Sequence, residues 1–293
     1  MAIAPGPVFV VLAAGRARRY GGIKPLAPVG PNGEAVIDLG ASDALEAGFS
    51  SIVLVVNSDT GPIIEQHVKD HWPTSVDVTF AVQETPLGTV DAVNAARQVI
   101  NEPLPFGVAN ADDLYGVDAL KTAVSTIRNY NSTMLVGFHL DQALIGNGAV
   151  TRGVCEINDG TLQSITERRQ VARSGDHFVA ADGLQPEILR SDTIVSMNLW
   201  GFTPQMWDLA AWKMARVDDA SERNEVLLPE LVAALIRGEF RNEFPALSEV
   251  LVATTTAQCV GVTHPDDLHL VQEAIRSQIE RGERSPVPFS SPD

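Results

Sequence analysis

The chain has 293 residues, of which 45% are hydrophobic and 20% charged, and its formal net charge is −16. That size and balance describe a soluble globular protein with one large or two modest domains, and exclude a disordered or fibrous chain. The acidic surplus excludes a general nucleic-acid binder, which needs a broad basic surface to displace counterions.

Taken in chain order, the first apolar run is "VFVVLAA" (8–14). It has no basic segment before it and arginines directly after it, so it does not read as a secretory signal. The runs "SIVLVVN" (51–57), "VDVTFAV" (76–82), "PFGVANA" (105–111) and "STMLVGFH" (132–139) complete a series of short strands. Most are continuously hydrophobic, as expected where helices cover both faces of a parallel sheet. Residues 34–48, 61–71, 88–100 and 116–129 carry helical spacing between them. The order βαβαβαβ predicts an α/β fold with a doubly wound, mostly parallel, Rossmann-like sheet. Ligands of such sheets bind beyond the carboxyl ends of the strands, which draws attention to the loops after Ala14, Val82 and Ala111.

The texture changes near residue 140. "GVCEINDGTLQSITE" (153–167) predicts a hairpin with "NDG" as its turn. A strand over 193–202, helices over 204–216 and 226–237, strands at 250–253 and 258–262 and a closing helix from about 265 follow. The second half is expected to extend the same sheet as an acceptor region (140–281) beside a nucleotide-binding half (7–139). The Pro- and Ser-rich end, 282–293, is expected to be a flexible tail. Cys155 and Cys259 are the only cysteines, too few for a disulfide framework, which suggests a reducing cytoplasm. No stretch approaches the roughly 20 apolar residues that span a bilayer.

The first strand leads into "LAAGRARRYGGIKPL" (12–26), where Arg16, Arg18, Arg19 and Lys24 gather. Residues 1–33 contain those four bases and no acid, and the rest of the chain holds 17 bases against 37 acids. Gly15 marks the exit from the sheet, and Gly21 and Gly22 permit close approach of backbone to a ligand. Guanidinium forks and a mobile ammonium suit phosphate. A solvated basic loop would explain the charge alone, but not its position behind the first strand among glycines. The motif is neither a Walker loop, which needs Gly-Lys before Ser or Thr, nor the dinucleotide pattern, since Ala17 and Tyr20 stand where glycines are required.

This stretch resembles the signature loop of the sugar-nucleotide pyrophosphorylases, the sugar-1-phosphate nucleotidyltransferase family. The resemblance implies that Leu12, Ala13, Ala14, Gly15 and Arg16 wrap a nucleoside triphosphate. It further implies that Arg19 contacts the departing diphosphate and that Lys24 steadies the phosphates at the reacting centre. Ala17 departs from the family's glycine-rich pattern.

Two later stretches fit the same family. "VQETPLGTVDAV" (82–93) resembles its base-binding element and implies nucleotide-binding roles for Gln83, Gly88 and Thr89. Independently, a glutamine amide can read a base edge, and Gly88 and Thr89 open a helix whose first N–H groups are free; helix capping by Thr85 or Thr89 is the structural alternative. "VANADDLYG" (108–116) ends a strand in adjacent carboxylates, and a hard cation such as Mg²⁺ bridges phosphates through one or two of these. Asp112 and Asp113 cannot point the same way on an extended strand. Asp112 matches the family's metal carboxylate; Asp113 is either a further metal contact or a turn cap. Thr263, Asp266 and Asp267 are candidates for a second metal ligand, though Thr263 and Asp266 also read as a capping box with Pro265.

On the acceptor side the resemblance assigns Gly153, Glu167 and Asn198 to the sugar. His67 and His71 lack the glutamate of a zinc protease motif and read as a solvated helix end. The expected function is Mg²⁺-dependent joining of a nucleoside triphosphate to a sugar 1-phosphate. A metal-dependent glycosyltransferase of similar fold stays open, although position 110 is Asn and not the first Asp of Asp-x-Asp. A non-catalytic nucleotide or sugar-phosphate sensor also stays open.

Overall fold

The computed structural model describes residues 6–15, 22–144, 146, 148–217, 225–262 and 267–290. Its elements in chain order begin β1 (Val8–Leu12), α1 (Val36–Ala47), β2 (Ser51–Val56), α2 (Gly61–His71), β3 (Val78–Val82), α3 (Thr89–Val99), β4 (Phe106–Asn110), β5 (Asp113–Leu114), α4 (Val117–Tyr130) and β6 (Thr133–His139). They continue β7 (Val150–Asn158), β8 (Thr161–Ser174), β9 (His177–Ala180), β10 (Ile188–Leu189), β11 (Ile194–Phe202), α5 (Gln205–Met214), α6 (Leu228–Ile236), β12 (Val250–Thr255), β13 (Val260–Gly261) and α7 (Leu268–Glu280).

Among the described residues one sheet of eleven strands runs through both halves of the chain, in the order β10-β9-β8-β12-β6-β11-β4-β1-β2-β3, with β7 against β11 and β8. β1 pairs in parallel with β2 and β4, β2 with β3, and β6 with β12, while β11 runs antiparallel between β4 and β6. The doubly wound α/β sheet expected from the alternating pattern is present, but it is mixed and not mostly parallel: β4-β1-β2-β3 and β6–β12 pair in parallel, whereas β7 to β11 pair antiparallel with their neighbours. The β1–β4 neighbourhood is its switch point: β1 continues to β2 on one side, and the chain returns to β4 on the other.

The continuous apolar runs follow from this layering. Phe9 and Val11 face a core shared with α1, α2 and α4, whereas Val8 and Val10 face the core shared with α3, α5 and α6. Alternate residues of one strand thus bury themselves on opposite sides. Trp207 of α5 anchors the second core, its ring stacked 3.5 Å from that of Phe106 and its Nε1–H donated to Leu104 O.

The β7–β8 hairpin turns where "NDG" predicted. Asn158 pairs with Thr161, and the two-residue loop between them has Asp159 at φ 48 and Gly160 at φ 75, as a type I′ turn requires. The hairpin is longer than the expected 153–167, and β9 and β10 extend the sheet beyond it.

The expected flexible tail differs in its described part. Arg284 is buried against Asp43 of α1, with Nη1 2.6 Å from Oδ2. Phe289 N–H donates to Ser42 Oγ at 2.8 Å, and the Phe289 ring lies 5.2 Å from Trp72. Apolar and ionic anchors outweigh the Pro- and Ser-rich composition. His67 is likewise tied down, its Nε2 2.9 Å from buried Asp38, which also accepts from Trp72 Nε1 and Ala35 N. Both cysteines are free thiols. No helix among the described residues is long and apolar enough to cross a membrane.

Candidate active site

Beyond the carboxyl ends of β1 and β4 lies a cavity of roughly 150 Å³, lined by Leu12, Ala13, Gly15, Lys24, Pro25, Ala111 and Asp112. The stretch 12–26 and the carboxylate at 112 are thus brought to one place. β1 and β4 pair in register Leu12↔Asn110, and Ala111 N–H continues the ladder to Leu12 O. Lys24 opens a short turn (Lys24–Leu26), and its Nζ lies 3.4 Å from Asp112 Oδ2 across the cavity. Their side chains are 21% and 37% exposed, so both remain accessible from the mouth. Ala14 lies beside the cavity with its carbonyl taking a hydrogen bond from Asn57 Nδ2 at 3.0 Å. Arg16 and Arg19 lie outside the described residues.

Asp113 turns the other way. Its Oδ2 accepts from Asn110 Nδ2 at 3.0 Å, and Gly261 packs so tightly on it that a side chain there would run into Oδ1. Burial, and then the neighbouring Asp112, push its carboxyl well above the usual carboxylate range. Of the two carboxylates, Asp112 lines this cavity and Asp113 does not. Asp113 as a further metal contact does not fit this cavity, because its Oδ2 is held by Asn110 of β4 and its Oδ1 lies against Gly261 of β13.

A Mg²⁺ ion takes oxygen ligands and is commonly held by one or two carboxylates plus substrate phosphates. Asp112 fits that demand, with a partly exposed carboxylate on the cavity wall. Among the described residues no group of three or more His, Cys, Asp or Glu converges on a metal position. Thr263 and Asp266 lie outside the described residues, and Asp267 immediately precedes α7. Val262, which precedes Thr263 in the chain, donates its N–H to Asp112 O at 3.0 Å.

The base-loop residues form a joint. Gln83 is buried, and its amide nitrogen donates both to Gly88 O (3.0 Å) and to Asp91 Oδ2 (2.8 Å). Gly88 has φ 100 and meets Val226 so closely that a Cβ would sit 2.7 Å from Val226 N. Val226 N–H donates to Leu87 O, Val226 O accepts from Val90 N, and Thr89 Oγ1 accepts from Leu228 N at the start of α6. The helix start that sequence left free is therefore partly taken by residues 226–228, and Thr89 caps α6 instead of its own helix.

On the acceptor side, Gly153 stands opposite Glu167 on β8 and opposite Ser196 on β11, a row across three strands. Glu167 is largely exposed and pairs with Arg169 at 2.9 Å. β11 bulges between Ser196 and Trp200, and within the bulge Asn198 takes a left-handed conformation, φ 59. A non-glycine residue held there is strained, and such strain gathers at functional positions.

Sequence reasoning missed Asn57, Tyr115, Val226 and Gly261. Each acts through a hydrogen bond or contact with a residue far away in the chain, and no local motif announces that.

An open α/β sheet binds its ligands at the switch point, and the Lys24–Asp112 pair stands there. Residues 9–238 match the family model described as nucleotidyl transferase. The chain belongs to that family and is a nucleotidyltransferase, which bears out the likeness carried by residues 12–26. Solved structures share the fold. The inositol-1-phosphate CTP transferase from T. maritima superposes with a TM-score of 0.67 at 15% identity, over 94% of this chain and 97% of that one. A UDP-glucose pyrophosphorylase complexed with UDP-glucose gives 0.59 at 14% identity, over 94% and 99%. HddC from Yersinia pseudotuberculosis complexed with GMP-PN gives 0.60 at 17%, over 92% and 99%. No sequence among curated proteins matches the chain.

Proposed function

We propose that the protein transfers a nucleotidyl group from a nucleoside triphosphate to a sugar 1-phosphate, releasing pyrophosphate, with Mg²⁺ as cofactor. The observation that carries this is the Lys24–Asp112 pair facing one cavity at the carboxyl ends of β1 and β4. The structural neighbours that act on UDP-glucose and inositol 1-phosphate support the choice of a phosphorylated polyol or sugar as acceptor.

The chemistry asks little of acid–base groups. The acceptor phosphate already carries a nucleophilic oxygen, so the α-phosphate can be attacked without deprotonation. Repulsion between two anions and charge building on the leaving pyrophosphate are the obstacles, and positioning with cationic stabilisation removes them. Lys24 supplies a point charge at the reacting phosphates, and Arg19 takes the leaving side. Backbone of Leu12, Ala13, Ala14 and Gly15, with Arg16, cradles the triphosphate. Asp112 would hold the Mg²⁺, which would supply positive charge to offset that of the phosphates. Gln83, Gly88 and Thr89 shape the base loop, and Gly153, Glu167 and Asn198 meet the sugar.

The test is pyrophosphate release across four nucleoside triphosphates and a panel of sugar 1-phosphates, with and without Mg²⁺. Turnover that requires one triphosphate, one sugar 1-phosphate and the dication is the expected result. A nucleotide sugar plus pyrophosphate should also run backwards to triphosphate. Absence of both reactions across the whole panel would remove the proposal.

A further inference from the structure

We infer that Tyr115 is a positioning residue for the transfer, its hydroxyl standing in for a missing rung between β4 and β11 and thereby fixing the Asp112 turn against the Asn198 bulge. The inference rests on the proposed reaction and adds a residue to it.

β4 and β11 pair regularly at Phe106↔Phe202, Gly107↔Gly201 and Val108↔Trp200. Beyond Val108 the pairing stops, because β11 bulges between Trp200 and Ser196. The next β4 amide aimed at β11 is that of Asn110, since Ala111 N–H points to β1. Continued in register the ladder would set Asn110 opposite Asn198, but the pairing ends at Val108 and leaves Asn110 N–H and Met197 O to a side-chain partner. An unpaired buried backbone group is costly.

The Tyr115 hydroxyl satisfies both. It accepts from Asn110 N at 3.1 Å and donates to Met197 O at 2.9 Å. Tyr115 is 3% exposed and its ring packs near that of Phe138, so the hydroxyl has little freedom to leave. Burial and the nearby Asp113 push its ionisation well above the ordinary range, which keeps the proton available for donation. One atom thus joins the strand end that leads into Asp112 to the residue before Asn198. A phenylalanine would let the two strand ends drift, and a shift on the order of 1 Å in a reacting group can cost about 10²-fold in rate.

The variant is Tyr115→Phe in the full chain, a substitution that keeps the ring's volume. Phe138→Leu serves as the control, because it loosens the same packing without touching the hydroxyl. Amide exchange over 106–115 and 194–202 is read alongside steady-state constants. The expected result is faster exchange in both segments and a kcat about tenfold lower, with KM for the nucleoside triphosphate within about twofold of wild type. Phe138→Leu is expected to lower thermal stability while leaving kcat within about twofold. Unchanged exchange and unchanged kcat in Tyr115→Phe would overturn the inference, as would an equal loss of kcat in the control. Faster exchange with wild-type kinetics would also overturn it, leaving the bond merely structural. Should the wild-type protein release no pyrophosphate with any substrate pair, the proposed reaction itself fails. The exchange data then still decide the coupling: faster exchange in both segments supports it and wild-type exchange refutes it.

Discussion

Lys24 Nζ and Asp112 Oδ2 lie 3.4 Å apart although 88 residues separate them in the chain. Both side chains are partly exposed, and an exposed pair contributes on the order of 1 kcal/mol or less to stability. A purely structural role therefore predicts small effects of substitution, and a catalytic role predicts large ones. Lys24→Ala and Asp112→Asn are each expected to lower pyrophosphate release by about 10²-fold or more. Their thermal midpoints should stay near wild type. Near-full turnover in either folded variant would separate the pair from the chemistry.

Asn57 offers a cleaner dissection. Its Oδ1 accepts from Asp59 N, Thr60 N and Thr60 Oγ1 at the start of α2, while its Nδ2 donates to Ala14 O beside the cavity. Asn57→Asp keeps the acceptor and loses the donor. This variant should lose about 1–3 kcal/mol of stability, because a carboxylate oxygen then faces Ala14 O, which loses its donor, while the turn into α2 keeps its acceptor. Its KM for the triphosphate should rise about fivefold, the equivalent of one hydrogen bond of about 1 kcal/mol. Asn57→Ala should show both losses, and chemical denaturation with initial rates distinguishes them.

Gly88 sits at φ 100 against the backbone of Val226, leaving no room for a methyl group. Gly88→Ala is expected to cost about 1–3 kcal/mol, from overpacking and from left-handed strain. Because Gly88 O also receives Gln83 Nε2, the base loop should shift with it. KM for the triphosphate should rise while KM for the sugar phosphate holds, a split that initial-rate kinetics would reveal.

Glu167 faces solvent in the Glu167–Gly153–Ser196 row, and its pairing with Arg169 is a surface one. Glu167→Gln should leave stability unchanged and raise KM for the acceptor about tenfold, as expected for losing a hydrogen bond to a charged group. An acceptor KM equal to wild type would place the sugar elsewhere.

The pair Arg284–Asp43 ties the end of the chain to α1. Burial raises the Asp43 carboxyl to about 6 even with the guanidinium beside it. A raised folded-state value means that the folded protein binds more protons than the unfolded chain between roughly pH 4 and 6. Asp43's contribution to stability is therefore greatest below that window and is lost as pH climbs through it. Arg284→Met leaves an unpaired buried carboxylate and should cost about 3–5 kcal/mol near neutrality. That cost should shrink as pH falls towards 4, because protonation removes the charge. Urea midpoints measured from pH 4 to 8 check the sign.

Much of the fold was legible from period and punctuation. β1, β2 and β6 revealed themselves as unbroken apolar runs because each is covered on both faces, and "NDG" revealed the β7–β8 turn because few residues tolerate consecutive positive φ. β9 and β10 escaped notice, being short strands at one end of the sheet whose pairing depends on a neighbour and not on their own composition. The tail misled by composition: Arg284 and Phe289 are two anchors in a Pro- and Ser-rich stretch, and their partners Asp43 and Trp72 lie more than two hundred residues upstream. In the site, Asp112 and Lys24 were readable because a motif surrounds each. The resemblance singled out Asp112, but what Asp113 does was left open, since only its contacts with Asn110 and Gly261 show where its carboxylate goes.

The sequence alone determined the chemistry on offer: a cluster of bases behind the first strand, two carboxylates after the fourth, and enough buried apolar surface to hold them on one sheet. Residue type and short-range spacing are local properties, and the side-chain chemistry they carry needs no fold to be recognised. The tertiary structure decided which of these groups meet. It set Lys24 against Asp112, turned Asp113 aside, closed the base loop with Val226 and joined β4 to the β11 bulge through Tyr115. Those choices depend on strand register and on backbone groups left unpaired by a bulge, and both arise only when distant segments pack together.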